Sequence, residues 1–265
     1  MTSRSPSRTT VLAIGAVCAL AMMAVPQAQS AGLVGQLGIL DTSGTNPATG
    51  QPWQVGDQYR LVFISSTFVD PNNPAANDIA YWNTGVQNIA NNAGLGVDVS
   101  GNAVTWNIIG STSAVDARDN TSTNPSIFGT GHAIIAMDGS TVIENNFNDL
   151  WNGAAPQNIA FFDEHGVHKD DSTAVNWPLT GTNWNGTAHG SLFLKDTSAG
   201  GAIRQGWAFT TSPGWIDAQN TGASWSSSSA WSVYGMSEPL TVLPEPSTGL
   251  LIGLGGLLAL LRRRR

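Results

Sequence analysis

Cysteine and basic side chains are what this chain has least of. A single cysteine, Cys18, occurs in 265 residues, and it sits inside an apolar run near the start. Disulfide staples and thiol catalysis are therefore excluded beyond that run, and whatever folds there must hold itself by burial. Charged residues make up 11% of the chain, under half the usual share of about 25%. Only 11 Lys and Arg stand against 18 Asp and Glu, and six of those bases lie at the ends, as Arg4, Arg8 and Arg262 to Arg265. From Ala31 to Leu243 five bases (Arg60, Arg118, Lys169, Lys195 and Arg204) face 17 acids, a net charge of −12. Such a surface repels phosphate backbones, so no nucleic acid is expected among the partners. What is abundant is glycine (30), asparagine (21) and tryptophan (10). The Trp, Phe, Ile and Val content is too high for disorder.

Both ends carry addresses. The N-terminus places Arg4 and Arg8 before an uncharged apolar run, Val11 to Val25, and small residues follow at Ala28, Ser30 and Ala31. A basic start, an apolar stretch of about 15 residues and a small-residue cleavage zone predict a secretory signal peptide over residues 1–30. Cys18 is followed by Ala19-Leu20-Ala21-Met22-Met23 within the same run. A lipid-anchoring cysteine would end that run, so N-terminal lipidation is not expected.

The C-terminus reads Pro244-Glu245-Pro246, then fifteen uncharged residues from Ser247 to Leu261, then Arg262, Arg263, Arg264 and Arg265. A helix over 247–261 would cover about 22 Å, short of the ~30 Å hydrocarbon core. Gly249, Gly253, Gly255 and Gly256 weaken it further as a permanent anchor. The terminal arginines hold their end on the cytoplasmic side. A proline-flanked acid, a short apolar transmembrane helix and a final arginine cluster together resemble the PEP-CTERM sorting signal of Gram-negative bacteria. That resemblance implies a tail spanning 244–265, recognised by the membrane protease-transpeptidase exosortase. It also implies an exported protein associated with extracellular polysaccharide and biofilm matrix. A sortase signal of Gram-positive type does not fit. It needs one residue between Pro and Thr, whereas Glu245, Pro246 and Ser247 separate Pro244 from Thr248.

The 213 residues between these ends suffice for one filled core. Gln58 to Ser65 alternates as a buried strand, and Val104 to Ile109 reads as another. Ile79, Trp82, Val86, Ile89, Ala90 and Ala93 recur at helical spacing, with Asn77 as the expected cap and Gly94 as the stop. Ser111 predicts the cap of a short helix reaching Asp119. Beyond Asn120, apolar runs at 133–137, 159–162, 191–194, 206–210, 232–236 and 240–243 are separated by Gly, Asn, Ser and Asp clusters. That rhythm predicts short antiparallel strands with long loops, hence one α+β domain over 31–243. Arg60-Leu-Val-Phe-Ile-Ser-Ser-Thr67, Asn77-Asp-Ile-Ala80, Trp106 and Ser111 to Asp119 resemble secreted bacterial domains of the C-type-lectin-like, endostatin-like fold. Trp177-Pro-Leu-Thr-Gly-Thr182, Gly206-Trp207, Trp225 and Trp231 to Ser237 resemble the tryptophan-rich second half of that fold. The Glu-Pro-Asn and Trp-Asn-Asp calcium motifs of sugar-binding C-type lectins are absent, so the resemblance implies architecture and not calcium-dependent binding.

Chemistry-bearing residues concentrate at Asp163, Glu164, His165, His168, Asp170 and Asp171. Imidazoles would suit zinc and carboxylates calcium, but the order is not His-Glu-x-x-His. An acidic, solvated loop is the expected state, with no cofactor. His132 and His189, each beside a glycine, read as surface or turn residues. No Gly-x-Ser-x-Gly elbow, phosphate-binding loop or EF-hand occurs, so the domain is not expected to be an enzyme. A paired-carboxylate glycoside hydrolase remains an alternative, since carboxylate separation is a three-dimensional quantity. Most tryptophans are expected in the core. Trp184, between Asn183 and Asn185, and Trp215, after Pro213-Gly214, sit in loop-like sequence and are the candidate exposed rings for stacking on sugar. The expected function is binding or organising exopolysaccharide, with a self-associating matrix protein as the alternative.

Overall fold

The computed structural model describes residues 42–67, 69–169, 177–195, 202–220 and 231–243. The expected signal peptide, the apolar helix at 247–261, the Pro-Glu-Pro motif and the arginine cluster lie outside the described residues.

Aromatic and β-branched residues between Gln58 and Ile64 form the longest strand, β3. Two short strands, β1 (Thr45–Asn46) and β2 (Gln51–Pro52), make a hairpin ahead of it. The main sheet also contains β4 (Trp106–Ile108), β5 (Ala133–Ala136), β6 (Val142–Glu144), β9 (Tyr234–Ser237) and β10 (Leu240–Thr241). Its order is β4-β9-β3-β5-β6, and β10 pairs with the start of β3. A two-stranded ladder of β7 (Arg204–Gln205) and β8 (Gln219–Asn220) stands apart. The pairing of β3 with β5 is parallel, Tyr59 to Ala133 through Val62 to Ala136. This corrects the expectation of antiparallel strands only. A parallel neighbour needs a long crossover, and the helix and β4 between them supply it.

Alternation along β3 divides the interior. Tyr59, Leu61 and Phe63 enter one core with Trp82, Val86, Trp106 and Ile135. Val62 and Ile64 enter a second core with Ile134, Phe147, Phe161, Trp215 and Tyr234. The first core is closed by α1 (Ile79–Asn92), whose Trp82, Val86 and Ala90 are spaced four apart and fully buried. Its N-cap is Asp78, which accepts from the Ala80 N–H at 2.9 Å. Asn77 instead ends a preceding 3-10 turn, Pro74–Asn77, so the cap lies one residue later than the spacing predicts. Helix α1 also covers the open edge of β4. Gln87 accepts from Trp106 N–H at 2.8 Å, Asn83 accepts from Ile108 N–H at 3.1 Å, and Asn120 donates to Ile108 C=O at 2.9 Å. Side-chain amides thus occupy backbone groups that an edge strand would otherwise offer to another chain.

The second core is closed by loops and two one-turn helices, α2 (Ala117–Asn120) and α4 (Phe147–Leu150), while a third, α3 (Pro125–Phe128), buries none of its residues. The cap of α2 is Asp116, and Ser111 contributes through its Oγ, which accepts from Ala117 N–H at 2.8 Å. The runs at 159–162, 191–194 and 206–210 are not strands. Phe162 and Leu179 make only isolated bridges. Side-by-side extended segments replace a ladder there. Thr180 and Gly181 both donate to Arg204 C=O at 3.0 Å, and Ser111 joins Thr180 and Leu194 through its backbone at 2.8 Å each. Gly181 has φ +61°, and a Cβ there would lie 2.2 Å from Leu194 N, so this junction requires glycine. A mixed sheet with few helices is an α+β arrangement. No helix among the described residues is long and apolar enough to cross a membrane.

Candidate functional site

The acidic cluster is built inward. Asp163 and Glu164 are each 3% exposed, which overturns the expectation of a solvated loop. Asp163 Oδ1 accepts from the N–H groups of His165 and Val167, both at 2.9 Å, and closes a tight hairpin. Its Oδ2 meets Lys169 Nζ at 2.6 Å. Glu164 reaches back to the end of β3, where its Oε2 accepts from Ser66 N–H at 2.8 Å and its Oε1 from the Ser66 hydroxyl. His165 is exposed, with Nε2 3.8 Å from Glu164 Oε1. His168 stands edge-on to Phe161 and Phe162, at 5.3 and 5.1 Å between ring centres. Among the described residues no three His, Cys, Asp or Glu side chains converge as a metal site would require. The Asp163 and Glu164 oxygens instead meet backbone N–H groups, the Ser66 hydroxyl and Lys169; Asp170 and Asp171 lie outside the described residues.

The two candidate stacking rings part company. Trp184 is 48% exposed. Its turn is closed by Asn183 N–H to Thr187 C=O at 2.9 Å, and its own N–H donates to Asp217 Oδ2 at 3.0 Å. One side of the indole lies on Gly153, where an added Cβ would come within 2.6 Å of the ring. Trp215, by contrast, is buried, which corrects its assignment as an exposed ring. Pro213 and Gly214 are part of a 3-10 turn capped by Ser212, not an open loop. That turn folds Trp215 into the second core, edge-on to Tyr234 at 5.5 Å, and the Tyr234 hydroxyl donates to Trp215 C=O at 2.9 Å. A further surface cluster was not read from the sequence. Trp207 and Phe209 stack at 6.1 Å and 15°, with Trp177 edge-on to Trp207 at 6.0 Å. The two rings are brought together by a turn, closed by Thr210 N–H to Trp207 C=O at 3.3 Å, which no alternation in the sequence announces.

A cleft of about 390 Å³ opens beside the sheet, lined by Arg60, Thr105, Asn107, Thr121, Ser122, Phe128, His132, Phe147, Glu238 and Pro239. Arg60 comes from the middle of β3, a strand buried on both faces, and is 4% exposed. Its Nη1 donates to Ser237 C=O at 2.8 Å and its Nη2 to Ser122 C=O at 3.3 Å. The guanidinium carbon lies 5.3 Å from the centre of the Phe147 ring. Among the described residues Nε has no hydrogen-bond partner and the group makes no ion pair. Burial pulls the Arg60 pKa down to about 10, partly offset by the charge of Glu238, so the group stays cationic at neutral pH. His132 is held below its ordinary value by burial and by the Arg60 charge, and its ring stands edge-on to Phe147 at 5.8 Å. Glu238 is tied to β4, where its Oε1 accepts from Thr105 N–H at 3.0 Å. Sequence reading placed Arg60 simply as a strand residue. A cation inside the run Tyr59-Arg-Leu-Val-Phe-Ile64, in a base-poor domain, was the available signal.

The described residues therefore form an acidic α+β arrangement with one exposed indole among them, Trp184, and a separate cleft that holds the buried Arg60. Residues 242–265 match the family described as the PEP-CTERM protein-sorting motif. That motif marks an exported protein sorted by exosortase, a membrane enzyme, after transient anchoring through the tail. A comparison with curated proteins finds no match for the chain.

Proposed function

We propose that this protein is a cell-surface or extracellular-matrix component whose C-type-lectin-like domain binds or organises exopolysaccharide. In this reading exosortase recognises Pro244, Glu245, Pro246 and the arginine cluster, and the domain is then placed among matrix polymers. It binds its glycan without hydrolysing it and needs no calcium. The observation that carries the binding reading is Trp184, an indole packed against Gly153 with nearly half its surface open, between two asparagines in the chain. Aromatic faces offer sugars a large apolar contact at little entropic cost, and neighbouring amides can meet the hydroxyls. The low charge density of the domain, 11% over the chain, favours uncharged polymer over polyanion.

The test is affinity electrophoresis of the full chain, in mild detergent, through gels containing the host's exopolysaccharide. Saturable retardation that is strongly weakened in Trp184→Ala and unchanged by EDTA is expected. Concentration-dependent self-association without saturable retardation would replace this reading with that of a structural matrix protein. Release of reducing ends from the polymer would replace it with that of a hydrolase.

A further inference from the structure

We infer that the Arg60 cleft receives a single carboxylate borne by a sugar residue of an otherwise neutral glycan, an inference that rests on the proposed glycan binding and assigns it a second contact. The cleft's volume of about 390 Å³ falls within the range of small-molecule sites, about 300–1,000 Å³. Its lining supplies each kind of group such a residue needs. Arg60 is a buried cation with no ion-pair partner among the described residues. Buried charges are normally paired, and the planar guanidinium fork matches the two oxygens of a carboxylate. Phe147 fixes the guanidinium from one side, so its orientation is set before any ligand arrives. The Asn107 amide and the Thr105 hydroxyl also line the cleft, and neither side chain makes a hydrogen bond to other described residues. They can meet sugar hydroxyls, and Phe128, 47% exposed at the rim, offers a ring face.

The same features limit the ligand's charge. His132 remains neutral at neutral pH, because its pKa lies below the ordinary value, and so adds a hydrogen-bonding group without adding a second cation. Glu238 lines the cleft as well and opposes any further negative charge. The segment from Ala31 to Leu243 carries −12, so a densely charged polyanion is repelled before it reaches the cleft. One carboxylate per recognised segment is what this arrangement accommodates.

The experiment is titration calorimetry of the full chain in mild detergent with three probes. These are a disaccharide of glucuronic acid linked to a neutral hexose, its carboxyl-reduced counterpart, and acetate. The acidic disaccharide should bind at least about tenfold more tightly than the reduced one, the discrimination expected of one charge-assisted hydrogen-bonded contact. Glu238→Gln keeps the acceptor for Thr105 N–H and removes the opposing charge, so it should tighten the acidic disaccharide several-fold and leave the reduced one unchanged. Asn107→Ala and Phe128→Ala should each weaken binding with an unchanged melting temperature, while Trp184→Ala should not alter it. Equal binding of the acidic and reduced disaccharides, or no binding of either, would overturn the carboxylate site. Exopolysaccharide retention in the gel would then still stand, so loss of this site and loss of the general glycan reading are separable. Acetate binding as tightly as the acidic disaccharide would overturn the sugar part of the inference.

Discussion

The Arg60 guanidinium carbon lies 5.3 Å from the centre of the Phe147 ring, and this pairing joins the middle of β3 to α4. Without it, a cation would sit in a strand whose neighbours Tyr59, Leu61 and Val62 are all buried. The ring face and the carbonyls of Ser237 and Ser122 together replace part of the water that Arg60 loses. Arg60→Ala removes both hydrogen bonds and leaves a cavity, so we expect a loss of about 2–4 kcal/mol in urea unfolding. Arg60→Lys keeps the charge but not the planar fork, and should lose roughly half as much. Equal unfolding midpoints for all three chains would show that the guanidinium contributes nothing to the fold.

Glu144 gives the domain a pH dependence of definite sign. It lies in β6 opposite Ile134, is 3% exposed, and its Oε1 has no partner among the described residues. Burial, reinforced by the charge of Asp149, raises its pKa from 4.5 to about 8. The folded state therefore holds a proton that the unfolded chain releases between those two values. Stability from this group is intact below about pH 4.5 and falls as pH rises toward about 8. Glu144→Gln mimics the protonated form, so it should be neutral near pH 4.5. At pH 8 to 9 it should stabilise by an amount on the order of a few kcal/mol. Unfolding midpoints of both chains across this range check it, and parallel curves would refute the assignment.

Glu164 and Ser66 form the third testable link. Two oxygens of one carboxylate take the backbone N–H and the hydroxyl of one serine, fastening the 163–169 hairpin to the end of β3. Glu164→Ala strands the Ser66 N–H and should cost about 1–3 kcal/mol. Glu164→Gln retains one acceptor and should cost less. If the residue were instead a metal ligand, EDTA would lower the wild-type melting temperature and leave that of Glu164→Ala unchanged. We expect EDTA to change neither.

How much of this was legible depends on whether the information is local. The tail was readable because Pro244, the apolar run and the four arginines follow one another along the chain. Strand β3 and helix α1 were readable because alternation at 59–64 and the spacing of Trp82, Val86 and Ala90 report burial directly. The cap at Asp78 was missed by one residue because Asn77 and Asp78 are both good caps, and only the 3-10 turn decides between them. The parallel pairing of β3 with β5 was not readable, since no local pattern names a partner so distant in sequence. The Arg60 cleft was hidden for the same reason: β3, the start of β4, the turn after α2, α3, α4 and the end of β9 all contribute to it. The acidic cluster misled because composition counts carboxylates but does not say that Asp163 turns back on its own loop.

The two tryptophans separate core from surface most sharply, because their sequence surroundings look alike. Trp215 is 2% exposed and packed on Tyr234, whereas Trp184 rests on Gly153 with 48% of its surface open. Trp215→Ala should cost about 3–5 kcal/mol through lost burial and a cavity in the second core. In a domain of this size that corresponds to a melting temperature lower by about 10 °C or more. Trp184→Ala removes a ring that water already reaches, and its stability should lie within about 0.5 kcal/mol of wild type. The decisive comparison adds exopolysaccharide to both. Ligand raises the melting temperature of any chain that binds only when folded. Trp215→Ala, once folded at low temperature, should be shifted upward by the polymer as the wild type is, and Trp184→Ala by clearly less. The reverse pattern would place the glycan contact on the face of the second core and remove Trp184 from the site.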